Sequence, residues 1–381
     1  MRVELVDPPA YSPPYDHALA AALSRLGASV RLLTSSFAYG EPPASDGYQR
    51  EQRFYRHAFG PAGSRLRALS KRAEHPIDML RYRRASSADI VHFEWLTVPR
   101  LDLRLLPPRP TVLTIHDPLI RSHPPGTPLP RSAFDRVNAI VVHSQYARGQ
   151  VIAQHGLEPE RVHVIHHGAL GTGEAFSSLG DANASRVESR LPAELQDTGE
   201  PVVLSYGLIR PYKGVRTLLE AWRGITGAQL WIVGRPMMDL SGPLAAAGRA
   251  APNLRLVPRF VSAAEEAALF ERADIVVLPY ERSERFGFSG VLATALGHGK
   301  AIVLSDVGGL SEVGSDPDHP AARLVAPGDA AALHTALTEL IADPDQRARL
   351  AAAAAKAASA EYSWAAAAAA TLALYETIAA P

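Results

Sequence analysis

Val202-Val203-Leu204-Ser205-Tyr206-Gly207-Leu208-Ile209-Arg210-Pro211-Tyr212-Lys213-Gly214 places a short apolar run before a turn with two glycines and two cations, and Val215 to Trp222 continues with helical apolar spacing. An apolar run of this length bounded by turn residues reads as a buried strand, so the segment is a strand, loop and helix unit. Downstream the strand signal returns at Leu230 to Val233, Leu254 to Val257, Ile275 to Leu278 and Ala301 to Leu304, with helix-length stretches between. That alternation predicts a parallel α/β sheet. Upstream, Val3 to Val6 is a short strand, a helix is expected from about Asp16 to Leu26, and Ser29 to Thr34 is a second strand. Further strands are expected at Asp89 to Phe93, Thr111 to His116, Ala139 to His143 and Val162 to His166. Between the two series, Gly171 to Glu200 turns to Gly, Ser, Asp and Glu with little strand pattern, as a linker does. The fold class is therefore α/β, with two Rossmann-like doubly wound domains. The first spans 1–170 and the second 200–360, joined by a linker at 171–199. A last helix, within 361–381, lies beyond the final strand and is expected to cross back to the first domain.

A length of 381 residues suits two such domains. Lys plus Arg and Asp plus Glu both total 39, which argues against a polybasic nucleic-acid binder while leaving room for a local positive pocket around a phosphate. No cysteine is present, so disulfides, thiolate zinc sites and cysteine nucleophiles are excluded. No apolar run approaches the roughly 20 residues that span a bilayer, and the start MRVELVDPP has no signal-peptide layout. The expectation is a soluble, cytoplasmic chain with no transmembrane segment; peripheral membrane contact and oligomeric state stay open.

Doubly wound sheets bind ligands at the carboxyl ends of their strands, and two of them are expected to do so around a shared cleft. Three loops of the second domain follow strands in that way. In the first, Gly207 allows a tight turn, and Arg210, as a planar fork, and Lys213, as a point charge, suit a diphosphate; alternatively both are solvated loop cations. The second, Pro279 to Gly290, leads through Gly287, Phe288, Ser289 and Gly290 into the apolar helix Val291 to Leu296. Amides and the positive dipole end at such a helix start hold anions, unless Ser289 is merely an N-cap and Gly287 a turn residue. The third, Ser305 to Glu312, offers Gly308-Gly309 to a close backbone approach. No G-x-G-x-x-G follows the first strand and no G-x-x-x-x-G-K-[ST] occurs, so dinucleotide and P-loop readings lose their main support.

Asp89-Ile90-Val91-His92-Phe93-Glu94-Trp95, Leu113-Thr114-Ile115-His116-Asp117, Val142-His143-Ser144, Val164-Ile165-His166-His167-Gly168, Gly207 to Gly214, Ala273 to Pro279 and Asp306 to Glu312 occur in an order that resembles the retaining glycosyltransferases of the family-four type, within the GT-B superfamily. The resemblance covers nearly the whole chain. It implies that the second domain binds a nucleoside diphosphate sugar through Arg210 and Lys213, assisted by the amides of Gly287 to Gly290, and that a hydroxylated small molecule or glycan sits against the first domain. His116 matches the family histidine that approaches the donor sugar. Glu284, in Glu284-Arg285-Phe286-Gly287, matches the first acid of the family's E-x7-E motif. The second acid is missing: its place holds Leu292, or Thr294 if the alignment is anchored on the following helix. The family's glycine-rich first turn is replaced by Pro13-Pro14-Tyr15-Asp16-His17, which implies a differently shaped acceptor pocket with Tyr15, Asp16 or His17, together with Glu94, as candidates to face an acceptor hydroxyl. The alternative reading has Asp16 capping the helix and His17 on its surface. The strand-end histidines 92, 143, 166 and 167 read as structural.

The resemblance further implies departure of the nucleoside diphosphate and attack on the same sugar face, with no protein nucleophile, no metal and no resident cofactor. Arg210, Lys213 and the helix amides would stabilise charge growing on the leaving group. Rival readings are a GT-B nucleotide-sugar epimerase or pseudo-glycosyltransferase, a non-catalytic nucleotide-sugar-binding protein and, weakest, a nicotinamide oxidoreductase.

Overall fold

The computed structural model describes residues 1–37, 42–61, 64–118, 128–171, 190–242, 251–282, 287–316, 318 and 320–380. These form two compact units. Among the described residues, the first comprises 1–168 with 364–380, and the second 169–171 with 190–363.

In the first unit seven parallel strands line up as β3-β2-β1-β4-β5-β6-β7. In chain order they are β1 (Arg2–Asp7), β2 (Ser29–Thr34), β3 (Gln49–Gln52), β4 (Ile90–Phe93), β5 (Thr111–Thr114), β6 (Ala139–Val142) and β7 (Val162–Val164). β4, β5 and β6 are buried along their whole length, and β6, Ala-Ile-Val-Val, is apolar throughout rather than alternating. Helix α1 (Pro13–Arg25) starts three residues ahead of the expected start, because Pro13 and Pro14 occupy its first two positions, where a preset φ helps and a missing N–H costs nothing. Helices α2 (Arg65–Ala85), α3 (Pro99–Asp102) and α4 (Gln145–His155) follow in this unit. Chain order reverses between β1 and β4, whose register sets Val6 beside Phe93, so the loops after these strands leave one crevice at the sheet's carboxyl edge.

The second unit repeats the plan with β8 (Val202–Tyr206), α5 (Val215–Ala221), β9 (Gln229–Val233), β10 (Leu254–Val257), α6 (Ala263–Arg272), β11 (Ile275–Leu278), α7 (Gly290–Gly297), β12 (Ala301–Ser305), β13 (Arg323–Val325), α8 (Ala330–Ala342) and α9 (Pro344–Ser359). Its six parallel strands are ordered β10-β9-β8-β11-β12-β13, and the reversal falls between β8 and β11. Apolar layers on both faces of this sheet include the fully buried Trp222 and Trp231.

The last helix, α10 (Trp364–Ala379), belongs to the first unit and packs against α1. Both helices present alanines to the contact, with Ala20 and Ala368 fully buried, and small side chains let helix axes approach closely. Trp364 is seated against Gly168, where a Cβ would come within 2.3 Å of the indole ring; only glycine leaves it room.

Candidate functional sites at the two switch points

At the β1/β4 switch point, Asp7 ends β1 and turns back to accept the Tyr11 N–H at 2.8 Å and the Ser12 N–H at 3.3 Å, which pins the proline-rich turn to the strand. Ser12 Oγ donates to Asp16 at 3.2 Å and accepts from Trp95 Nε1 at 2.7 Å. Asp7 and Asp16 are both buried and hydrogen-bonded to each other. Burial pushes Asp7 up to about 6; burial, followed by the Asp7 charge, pushes Asp16 well above the ordinary carboxylate range. The pair therefore holds a proton at pH values where two solvated carboxylates would have lost theirs.

Beside them lies a chain of rings whose hydrogen bonds fix its protonation. Burial pushes His116 and His143 each down to about 3, so both are neutral. His143 Nδ1 is 2.9 Å from the Ile165 carbonyl oxygen, which only accepts, so Nδ1 carries the hydrogen and Nε2 the lone pair. That lone pair is 3.1 Å from His116 Nδ1, which must donate. His116 Nε2 is then an acceptor too, and it faces Glu94 Oε2 at 3.3 Å. The proton between them belongs to Glu94, whose fully buried carboxyl is raised by desolvation. Trp95 stacks on the His116 ring with centroids 4.7 Å apart, and Tyr15 meets the same ring edge-on at 4.8 Å. Tyr15 also touches His143, His167 and Trp364, so α10 supplies the floor of the cluster. Tyr375, further along α10, is 2.6 Å from His92 Nδ1. A hollow of about 40 Å³ opens beside Glu94, Trp95, Thr114, His116 and Asp117, room for about one water or one hydroxyl group.

The structure thus brings Tyr15, Glu94 and His116 together and ties Asp16 to Asp7. The reading with Asp16 as cap and His17 on the surface is corrected. Ser12 holds the cap position, Asp16 is buried, and His17 is buried with Nδ1 2.9 Å from the Tyr48 hydroxyl, held as a core group by the neighbouring loop. Asp7 and Trp364 were not singled out in the sequence, and Trp95 entered only as the end of the stretch Asp89 to Trp95, with no role in the site. Only a strand-end acid and two tryptophans at loop boundaries could have pointed to them.

At the β8/β11 switch point the loops after adjacent strands are laced by backbone bonds. Gly207 N–H donates to Val233 O at 2.9 Å, Ile209 N–H to Arg235 O at 3.0 Å, and Glu281 N–H to Tyr212 O at 2.8 Å. Gly214 has φ +67°, and a Cβ there would stand 1.7 Å from the Pro279 carbonyl oxygen, so the turn carrying Arg210 and Lys213 can press on the β11 loop only as glycine. Lys213 folds back over Gly207, with Nζ 3.2 Å from the position a Gly207 Cβ would take and 5.0 Å from the Tyr280 ring centroid. Val291, at the start of α7, is 3.1 Å from that same position. Ser289 sits at the N-cap of α7, yet its side chain makes no cap bond. Its Oγ lies 3.2 Å from the Tyr280 hydroxyl, and the first helix amides are left without that partner. Among the described residues neither Arg210 nor Lys213 pairs with a carboxylate, whereas Arg259 and Arg272 of the same unit each bind two. Gly207, Lys213, Ser289 and Gly290 are thus drawn together around Tyr280, with Arg210 in the same turn. Gly287 is buried, and the Phe288 ring is stacked on Tyr362 at 5.8 Å, so this stretch offers its backbone. Glu284 lies outside the described residues.

The carboxyl-terminal unit matches the family model of glycosyl transferases group 1 over residues 200–343, and the amino-terminal unit matches that of glycosyltransferase family 4 over residues 15–169. The chain belongs to this glycosyltransferase family. D-inositol 3-phosphate glycosyltransferases of Mycobacterium tuberculosis and Mycobacterium bovis are 31% identical to it over 186 residues, a match covering 47% of this chain and 36% of the relative. Among solved structures, sucrose-phosphate synthase of Thermosynechococcus elongatus superposes with a TM-score of 0.71 at 18% identity, over 99% of both chains. Anabaena HepE in complex with UDP and glucose superposes with a TM-score of 0.65 at 17% identity, over 99% of this chain and all of that one. The fold is the GT-B fold of these glycosyltransferases. Within it, the place of the family's second motif acid is apolar or back-bonded. Leu292 is fully buried in the core, and the Thr294 hydroxyl donates to the Gly290 carbonyl at 3.0 Å.

Proposed function

We propose that the chain is a retaining glycosyltransferase that moves a sugar from a nucleoside diphosphate donor to a hydroxyl group of a glycan or small molecule. The observation that carries this reading is the pair Arg210 and Lys213, free of carboxylate partners among the described residues, beside the helix start that Ser289 leaves uncapped. A protein that sets two cations and unsatisfied amides at a strand end has made an anion site, and a diphosphate matches two cations. Charge grows on that diphosphate as the glycosidic bond breaks, so the same groups stabilise the transition state more than the ground state and need no metal to do so. Gly207 and the amides of Gly287 to Gly290 complete the cradle, and the resemblance to the family motif assigns Glu284 to the sugar hydroxyls.

The acceptor binds the first unit, at the hollow beside Glu94 and His116. His116 is not the base in this scheme, because both of its ring nitrogens are engaged; its ring lines the hollow, and the departing phosphate takes the acceptor proton. Tyr15 walls the pocket, while Asp16 and the buried His17 shape it from behind.

The test is a thermal-shift and calorimetric panel of UDP, GDP, dTDP and ADP with their sugar conjugates, with and without magnesium, led by UDP because HepE was crystallised with it. Saturable stabilisation by one diphosphate without metal, and transfer that keeps the anomeric configuration by NMR, are expected. Free nucleotide with an isomerised sugar and no acceptor product would instead mean an epimerase, and binding without turnover a non-catalytic protein.

A further inference from the structure

Helix α2 turns its polarity inside out. Its buried face carries His75, Asp78, Met79 and Tyr82, whereas Leu66, Leu69, Ile77 and Leu80 are exposed. With Ala73, which is also exposed, the outward residues recur at spacings of three and four, an arc of about 80° on a regular helix. The groups of that buried face are held by hydrogen bonds: His75 bonds Tyr55 and Asp102, and Asp78 accepts the Tyr55 N–H at 2.8 Å. The outward leucines have no such account within the unit. Phe59 joins them from the preceding loop, held to the helix by Ser70, whose Oγ accepts the Phe59 N–H at 3.2 Å and donates to its carbonyl at 3.0 Å. Of the eleven large apolar side chains exposed among the described residues, these five lie within 59–80, so they form a patch and not the usual scatter.

Cations border the stripe. Residues 65–85 hold seven Arg or Lys and two acids, and both acids turn inward, Glu74 to the His57 N–H at 2.9 Å and Asp78 to Tyr55. Arg65, Arg72 and Arg83 flank one edge, Arg81 the other, and Arg84 stands at the end of the stripe. Next to Arg81 is a hollow of about 320 Å³ lined by Arg53, Arg56, His57 and Asp78, of a size and charge for a phosphate head group.

We propose that this face of α2, with Phe59, docks on an anionic lipid surface, the leucines and isoleucine entering the interface and the arginines meeting lipid phosphates. An apolar stripe bordered by cations is the layout of a helix lying in the plane of a membrane. Charge selects this occupant over a second copy of the chain, since two such faces would repel each other. The stripe selects it over nucleic acid, whose phosphates gain nothing from exposed leucine. Among the described residues no helix is long and apolar enough to cross a membrane, so the attachment is peripheral.

The experiment is co-sedimentation of the full chain with phosphatidylcholine vesicles containing roughly a third phosphatidylglycerol, against pure phosphatidylcholine, over a range of salt. Binding to the anionic vesicles that weakens with salt is expected. Replacing Leu66, Leu69 and Ile77 with Ser should weaken it at least about tenfold, and each of Arg65→Glu, Arg72→Glu and Arg84→Glu by about fivefold or more. All these positions are exposed, so melting curves should match the parent and exclude misfolding. The proposal is overturned if the parent ignores anionic vesicles at low salt, or if the variants bind as well as the parent. It is equally overturned if ultracentrifugation finds a dimer that the Ser variants dissociate, which would assign the face to a second copy.

Discussion

The two switch points share one topology and differ in how their polar groups are satisfied. At β1/β4 the ionisable side chains are buried and bond one another: Asp16 to Asp7, Glu94 to His116, His116 to His143, His143 to a backbone carbonyl. At β8/β11 the two cations have no carboxylate among the described residues, and the backbone around them is laced rigidly by strand-loop bonds. The first edge is a network closed on itself, in which removing a member leaves a buried partner orphaned. The second is an open site, rigid in its frame and unsatisfied at its centre, as a site awaiting an anion should be. Stability and function should therefore separate between the two units.

The sharpest way to break that contrast is the double substitution Arg210→Ala, Lys213→Ala. Turnover, followed as nucleoside diphosphate release, should fall by about 10³-fold or more, while the melting temperature stays within about 2 °C of the parent. A collapse of the melting temperature with it would mean that the cations serve the fold. Next in size is Gly168→Ala in the first unit. Its Cβ would sit 2.3 Å from the Trp364 ring, and denaturant unfolding should show a loss of about 3 kcal/mol or more as α10 is unseated. A loss under about 1 kcal/mol would show that α10 is not tightly seated there.

Glu94 sharpens the comparison through a pair of variants. Glu94→Gln can still donate an N–H to His116 Nε2, so its cost should be within about 1 kcal/mol; Glu94→Ala strands that nitrogen and leaves a void, at about 2–3 kcal/mol. Equal costs would mean that the proton does not lie where the ring chain places it. The smallest effect is on pH dependence. Folding raises Asp7 to about 6 and Asp16 higher, so between pH 4 and 6 the folded state binds more protons than the unfolded one and this pair loses stability as pH rises. His116 and His143, depressed to about 3, act in the opposite sense and lose stability as pH falls below their unfolded value. Asp16→Asn removes one acid from the balance. Its stability relative to the parent should improve by about 1 kcal/mol from pH 4.5 to 7.5, and a constant difference would refute the shared proton.

Much of the architecture was legible because strands buried on both faces are largely apolar, wholly so in β6 and β11, and such runs stand out between helices. β3 was not legible. Gln49-Arg50-Glu51-Gln52 is an edge strand with polar side chains on both faces, and nothing but its pairing with β2 makes it a strand. For the sites, the cation turn could be picked out because two charges beside a glycine at a strand end are a local pattern. The histidine and carboxyl network could not, since its members come from β1, α1 and the ends of β4, β5 and β6, and their protonation depends on burial.

By itself the sequence determined the two α/β units and the turn with Arg210 and Lys213, both of which depend on apolar period and on neighbours within a few residues. The tertiary structure alone decided which face of α2 meets solvent, that Trp364 and Tyr375 of α10 support the first unit, and that His17 is buried while Lys213 remains unpaired with any described carboxylate. The reason is one of range. Backbone period and turn chemistry are set locally, whereas burial, proton placement and the pairing of charges are set by groups that only folding brings within a few ångströms.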